Sequence, residues 1–105
     1  MPVYIVIEAR VRDGGKYDEY AAAFSDIISS YGGRYLVRGA RVTPIDEGMR
    51  PERRQPERMS IIEFPSEVQR RRLFASPEYK KILPLRLAAA DTRAFLLEGY
   101  KPEKL

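Results

Sequence analysis

The chain of 105 residues contains neither cysteine nor histidine. The lack of cysteine excludes disulfides, thiolate nucleophiles and sulfur-bound zinc, and the lack of histidine removes the commonest metal ligand and the usual proton carrier at neutral pH. Acid or base chemistry would fall to carboxylates, tyrosines, lysines or water, and a carboxylate needs burial or a nearby like charge to raise its pKa toward neutrality. We therefore expect no metal site and no cofactor, and the case for an enzyme is weakened.

Long hydrophobic runs are also absent. No apolar run approaches the roughly 20 residues of a membrane span, and the start Met1-Pro2-Val3-Tyr4 lacks the basic end and apolar stretch of a signal peptide. The composition is that of an ordinary globular protein, and the length fits one domain. We expect a single domain at residues 1–100, a charged tail at residues 101–105, a cytoplasmic location and no membrane partner.

The net charge of +4 raises the question of a nucleic-acid partner. However, the densest basic segment, residues 50–58, is interleaved with acids and prolines, and the run Arg70-Arg71-Arg72 falls on a predicted helix. This distribution is typical of a solvated loop and an exposed helix face. We expect no nucleic-acid partner, and a small anionic ligand steered by the positive field is the alternative.

The first third of the chain predicts a strand followed by a helix. Residues Val3 to Arg10 alternate as a strand. Asp13 is placed to cap a helix in which apolar residues recur at three- and four-residue spacing as far as Tyr31. Gly32 and Gly33 then end the helix, because glycine adopts the left-handed conformation of a helix C-terminus without a steric penalty.

The rest of the chain predicts three strands and two helices. A second strand runs from Arg34 to Arg38, is interrupted at Gly39 and, in one interpretation, resumes from Val42 to Ile45 before a polar segment at 46–57. The later elements are a strand from Met59 to Phe64, a helix capped by Ser66 with Gln69, a short helix that starts at Ser76-Pro77 and is kinked or restarted at Pro84, and a last strand from Thr92 to Glu98.

This β-α-β-β-α-β order is that of the ferredoxin-like α+β fold, in which both helices cover one face of a four-stranded antiparallel sheet. The other face is then left without a cover. A solvated sheet face is mostly polar, yet this one would present apolar residues among its charges. They are Val6, Leu36, Ile61 or Ile62, and Leu96. We therefore expect a homodimer that buries these faces.

Several segments together resemble one known family. They are Tyr31-Gly32-Gly33-Arg34-Tyr35-Leu36-Val37-Arg38-Gly39, Ile62-Glu63-Phe64-Pro65-Ser66, Ser76-Pro77-Glu78-Tyr79 and Leu83-Pro84-Leu85-Arg86. From Tyr4 to Gly99 the chain resembles the DUF1330 family, to which no general activity is assigned. The resemblance implies a dimeric α/β barrel, in which two sheets pack face to face and each protomer keeps a pocket between its sheet and the partner or the helices. The connection from Glu47 to Arg58 departs from the family by being longer and richer in arginine.

Strand alternation selects the charged residues that could share a pocket. Glu8 and Arg10 share a face of the first strand, Arg34 and Arg38 share a face of the second, and Glu63 and Glu98 lie on the third and fourth. Burying an unpaired charge is costly, so such side chains should pair with one another or meet a ligand. The structural interpretation is a set of ion pairs lining a dimer interface.

The functional interpretation gives these residues roles around a ligand. In it, Arg34 or Arg38 binds a ligand carboxylate, Glu8 or Glu63 accepts a hydrogen bond or carries a proton, and Tyr4 supplies a hydroxyl and a flat surface. Arg86, beside the expected kink, either projects toward the same cavity or stays exposed on its helix.

Two functions from different classes fit these candidates. The first is a protein that binds a small anionic or aromatic molecule in a pocket of the homodimer. The second, implied by the resemblance to the α/β-barrel group, is a cofactor-free isomerase or monooxygenase-like enzyme, with Glu8 or Glu63 as base and Arg38 stabilising an enolate-like anion. A carboxylate with a raised pKa near Arg38 would favour the enzyme. A third possibility is an interaction module whose lumen is filled by side chains.

Overall fold

The computed structural model describes residues 1–45, 47–49 and 56–102. Strands and helices follow one another in the expected order. They are β1 (Val3–Val11), α1 (Gly14–Ser30), β2 (Arg34–Arg41), β3 (Arg58–Phe64), α2 (Glu67–Ala75), α3 (Pro77–Ala89) and β4 (Ala90–Glu98). The predicted arginine-rich connection falls in part outside the described residues, at 50–55, and so does the predicted tail, at 103–105.

The four strands form one antiparallel sheet in the order β2-β3-β1-β4. The central strand β1 pairs with both β3 and β4, and Ile5 lies opposite Ile62 on one side and Leu96 on the other. This order is that of the ferredoxin-like fold. The predicted α+β architecture is therefore confirmed.

The core lies between one sheet face and the helices. From the sheet, Ile5, Ile62 and Phe64 are buried, and α1 buries Phe24 and Ile28 against them. Removing these apolar surfaces from water is the main force that holds the helices on the sheet. The apolar stripe that the spacing predicts for α1 is the stripe that packs.

Side-chain oxygens cap the helices where the sequence predicts it. The carboxylate of Asp13 accepts a hydrogen bond from the Lys16 backbone N–H at 3.1 Å, and the Ser66 hydroxyl accepts one from Gln69. The Ser76 hydroxyl serves two helices at once. It donates to the Leu73 carbonyl of α2 at 2.6 Å and accepts from the Tyr79 N–H of α3 at 3.2 Å.

Three predicted boundaries are wrong. β2 ends at Arg41 and does not resume toward Ile45, because Pro44 has no N–H to donate to a strand ladder. The third helix is not short: α3 runs from Pro77 to Ala89 with Pro84 inside it, so only the hydrogen bond of that one residue is lost. β4 starts at Ala90, directly after α3, rather than at Thr92.

The two glycines that end α1 act through different constraints. Gly32 has a φ of 78°, the left-handed conformation that the sequence predicts there. Gly33 has no positive φ and is constrained by space instead. A Cβ atom at Gly33 would lie 2.7 Å from a ring carbon of Phe64 and 2.9 Å from a methyl group of Ile28, both of which are fully buried.

We predict that Gly33→Ala destabilises the protein by about 1–3 kcal/mol, the usual effect of overpacking a core. The measurement is the free energy of unfolding in urea. Gly14→Ala is the matched control, because a Cβ atom at Gly14 meets nothing within 4 Å. Equal unfolding midpoints for the two variants would contradict the steric argument.

Candidate functional site

A cavity of about 50 Å³ lies between the sheet and the helices. Aromatic side chains form most of its wall. They are Tyr17, Tyr20, Phe24, Tyr35, Phe74 and Tyr79. The sheet side contributes smaller residues, among them Ile7, Ser60 and Ala94. The flat apolar surfaces suit an unsaturated or aromatic group.

One charged side chain lines the cavity among the residues that the structure describes, and it is Arg86 of α3. Its Nη1 donates a hydrogen bond to the Thr92 hydroxyl at 2.8 Å. Its Nε is buried without a hydrogen-bond partner. None of the salt bridges between described residues includes Arg86. A guanidinium carries five N–H donors, so this one retains unused donors and an uncompensated charge.

Three tyrosines of the cavity wall, Tyr17, Tyr20 and Tyr35, are neutral at physiological pH. Burial raises the pKa of Tyr20 far above its ordinary value, and a hydrogen bond with Tyr79 adds to the shift. Burial also raises the pKa of Tyr35 to about 12, although the nearby Arg38 opposes the shift. The pKa of Tyr17 is raised by burial as well. These phenols can donate hydrogen bonds but do not ionise near neutrality.

Three of the predicted site residues meet on the opposite, open face of the sheet. The Tyr4 hydroxyl donates to Glu63 Oε2 at 3.0 Å, and Arg34 Nε donates to Glu63 Oε1 at 2.7 Å. Hydrogen bonds from Arg34 and then Tyr4 lower the pKa of Glu63, and the bond to Glu63 raises the pKa of Tyr4. The cluster is thus an ion pair with a phenol donor, not a poised base.

Glu8 also lies on the open face. Glu8 lies opposite Arg93 of β4 in the strand pairing, and the two side chains form a salt bridge at 4.0 Å. Because β1 side chains alternate between the faces, Tyr4 and Glu8 point away from the cavity that Ile7 lines. The structure therefore does not bring either predicted carboxylate to the cavity.

The predicted shared face of Arg34 and Arg38 is wrong. The pairing of β2 with β3 shifts register twice, between Tyr35 and Val37 and again between Val37 and Ala40. Each shift of this kind adds an unpaired residue and changes which face the next side chains occupy. The Arg38 guanidinium lies over the Tyr35 ring, 5.2 Å from its centroid, and so stands at the cavity side.

The apolar residues of the open face also differ from the predicted set. Ile62 is fully buried in the core, and Leu96 lies opposite Ile5 on the helix-covered side. Val6 and Ile61 are paired on the open face as predicted, and β4 adds Phe95 and Leu97, which are 44% and 50% exposed.

The sequence alone leaves Arg86 undecided between the cavity and an exposed helix face. A signal for Arg86 was present in α3. Tyr79, Leu83 and Arg86 are spaced by four and three residues, so they occupy one helix face. A residue that shares a face with a core tyrosine points inward. Thr92 was assigned to β4, but its pairing with Arg86 had no local signal.

No described helix is long and apolar enough to cross a membrane. Within the same residues, no three acidic side chains converge in a way that could hold a metal ion.

A sequence profile described as "Domain of unknown function (DUF1330)" matches residues 2–100. The chain belongs to the DUF1330 family. The resemblance that the sequence motifs indicated is therefore confirmed over nearly the whole chain. No curated protein is significantly similar in sequence.

Solved structures share this fold at low sequence identity. The RPA0582 protein of unknown function from Rhodopseudomonas palustris has a TM-score of 0.79 at 20% identity, over 96% of this chain and 84% of that one. SnoaB from Streptomyces nogalater, a cofactor-independent oxygenase, has a TM-score of 0.63 at 14% identity, over 96% and 95%. A dimeric ferredoxin-like protein of unknown function from Thermobifida fusca has a TM-score of 0.62 at 14% identity, over 92% and 90%. These likenesses show the fold alone.

The Glu63 cluster generates a prediction about pH. The pKa of Glu63 is lower in the folded protein than in the unfolded chain, so ionised Glu63 stabilises the fold at pH values above the unfolded-state pKa. This contribution is lost as the pH falls through the folded-state pKa. Glu63→Gln should thus unfold at a lower urea concentration than the wild type at pH 7. The difference should shrink below the ordinary glutamate pKa of about 4.3.

The measurement is the urea midpoint of both proteins at pH 7, 5 and 3. Glu98→Gln is the control, since Glu98 is an exposed carboxylate in none of the salt bridges between described residues. A Glu63→Gln deficit that stays constant across this pH range would show that the ion pair is not its cause.

Proposed function

We propose that this DUF1330 protein binds a small organic anion with a flat unsaturated or aromatic body in the cavity between sheet and helices. Arg86 binds the anionic group, and the tyrosine and phenylalanine rings contact the body. The observation that carries the proposal is the buried Nε of Arg86, which has no hydrogen-bond partner. A ligand carboxylate or enolate would accept from this donor and neutralise the guanidinium.

The energetics favour an anion over a neutral ligand. The half-buried guanidinium of Arg86 has no counter-charge in the cavity, because no acidic residue lines its described wall. A guanidinium presents parallel N–H donors that match the two oxygens of a carboxylate. The hydroxyl of Thr92 holds the guanidinium in place by occupying one of those donors.

The cavity size restricts the ligand. Its volume of about 50 Å³ exceeds the roughly 10–15 Å³ that one water needs and is about a third of the 150 Å³ engineered cavity that binds benzene. A short unsaturated acid fits within the walls, whereas a benzoate ring would extend through the mouth or move a helix.

The alternative, a cofactor-free isomerase or monooxygenase-like enzyme, takes support from the fold likeness to SnoaB, a cofactor-independent oxygenase. It requires a base beside the anion-binding arginine. Both proposed carboxylates, Glu8 and Glu63, belong to the open face, and the pKa of Glu63 is lowered. The binding function needs no such base and is therefore the better supported of the two.

We also infer that the functional unit is a homodimer joined through the open faces. The exposed side chains of Phe95 and Leu97, together with the half-buried Val6 and Ile61, give this face more apolar surface than water favours. The fold likeness to a dimeric ferredoxin-like protein supports the inference. In such a dimer the Glu63 cluster lies near the interface, and the cavity stays on the outer side of each sheet.

The anion site is tested by Arg86→Gln. Loss of a charge-assisted hydrogen bond costs about 1.5–3 kcal/mol, so the affinity for acrylate and benzoate should fall about 10- to 100-fold. Isothermal titration calorimetry measures it, with acrylamide and benzamide as neutral counterparts. Arg34→Gln, which removes an arginine from the opposite face, is the control and should bind as the wild type does. Equal binding by Arg86→Gln and Arg34→Gln would reject the proposal.

The homodimer is tested by Leu97→Glu. A charge within an apolar interface is costly to desolvate, so the variant should elute as a monomer at micromolar concentration while the wild type has twice the chain mass. Size-exclusion chromatography with light scattering gives both masses. Leu87→Glu, at a 60% exposed position on α3, is the control and should remain a dimer. A dimeric Leu97→Glu would mean that another surface joins the protomers.

A further inference from the structure

Three arginines of β2 and β3 lie on the helix-covered side of the sheet, beside residues that line the cavity. Arg38 lies over the ring of Tyr35, which lines the cavity. The positive charge of Arg58 acts on Tyr17, another lining residue, by opposing the increase that burial causes in the Tyr17 pKa. Arg41 lies directly opposite Arg58 in the strand pairing. All three arginines are exposed.

These three arginines, which we call the mouth arginines, lack carboxylate partners among the described residues. The salt bridges there involve Arg12, Arg34, Arg70, Arg71 and Arg93 instead. Like charges directly opposite each other on neighbouring antiparallel strands are destabilising. The pair of Arg41 and Arg58 has this arrangement. An anion bound between them would remove the repulsion.

The strand register relates the mouth arginines to Arg86. Thr92 of β4, Ala9 of β1, Arg58 of β3 and Arg41 of β2 follow one another in a single row across the sheet. Neighbouring strands lie about 4.8 Å apart, so Arg58 is about 10 Å from Thr92 along this row. Thr92 is the residue that holds the Arg86 guanidinium. Both cationic positions therefore lie on the same face of the sheet, about two strand spacings apart.

We propose that the ligand carries a second anionic group, a phosphoryl group, which the mouth arginines bind while its carboxylate or enolate end meets Arg86. This inference rests on the proposed function and names its substrate class, a phosphorylated small organic acid. Guanidinium groups bind phosphate oxygens through paired N–H donors, and a phosphoryl group offers three oxygens for three arginines. The bound ligand spans the cavity mouth with its flat body against Tyr17 and Tyr35.

A matched pair of probes tests the second group. 4-Hydroxybenzoate and 4-carboxyphenyl phosphate share the ring and the carboxylate and differ in the phosphoryl group. In calorimetry at low salt, wild-type protein should bind the phosphate at least about tenfold more tightly, as expected for one or more added charge-assisted hydrogen bonds. The double variant Arg41→Gln/Arg58→Gln should lose this preference and keep its affinity for 4-hydroxybenzoate.

The control is Lys80→Gln/Lys81→Gln, which removes the same charge from exposed positions on α3 and should keep the preference. Thermal unfolding provides a second readout that does not depend on the organic probe. Inorganic phosphate should raise the melting temperature of the wild type and not that of Arg41→Gln/Arg58→Gln. The absence of any phosphate preference in the wild type, or its persistence in the double variant, would overturn the inference.

The design separates the two proposals. If Arg86→Gln weakens the binding of both probes while Arg41→Gln/Arg58→Gln makes their two affinities equal, both proposals stand. If Arg86→Gln changes neither affinity but the phosphate preference still depends on Arg41 and Arg58, the mouth site stands and the proposed function fails. If Arg86→Gln weakens both probes and the wild type shows no phosphate preference, the proposed function stands and this inference fails.

Discussion

Contacts between aromatic rings hold the three helices to one another above the sheet, and the other features of the cavity side depend on them. Phe24 of α1 stacks on Tyr20 at 5.3 Å between centroids and meets Tyr79 of α3 at 5.6 Å. Phe74 of α2 joins at 4.8 Å from Tyr79. Rings are broad and stiff, whereas the facing sheet positions include the small residues Ser60 and Ala94. A cavity remains because such rings cannot fill the space above small side chains.

The two faces of the sheet differ in how their charged side chains are paired. On the open face, Glu63 is paired with Arg34 and Glu8 with Arg93. On the cavity side, Arg86 and the mouth arginines have no carboxylate partner among the described residues. Exposed pairs of the first kind contribute little to stability. The arginines without a carboxylate partner leave excess positive charge on the cavity side, where we propose that an anion binds.

The fold was predictable from the sequence because its signals are local. Alternation, helix spacing, the caps at Asp13 and Ser66 and the glycine that ends α1 each involve a few neighbouring residues. The site was only partly predictable, because faces depend on register between distant strands. The bulges of β2 place Arg38 on the cavity side, whereas simple alternation predicts the same face as Arg34. At these bulges the Ser60 hydroxyl accepts a hydrogen bond from the Gly39 N–H at 2.8 Å. The predicted face of Leu96 was wrong because the register of β4 on β1 places this residue opposite Ile5 and not opposite Val6.

The shared hydroxyl of Ser76 opposes one way of widening the cavity, which is the separation of α2 from α3. Since one buried oxygen bonds both the last turn of α2 and the first turn of α3, separating these helices would leave polar groups unsatisfied on both. Phe74 and Tyr79, on either side of this oxygen, are therefore fixed relative to each other, and a ligand that parted α2 from α3 would have to satisfy the polar groups it exposed.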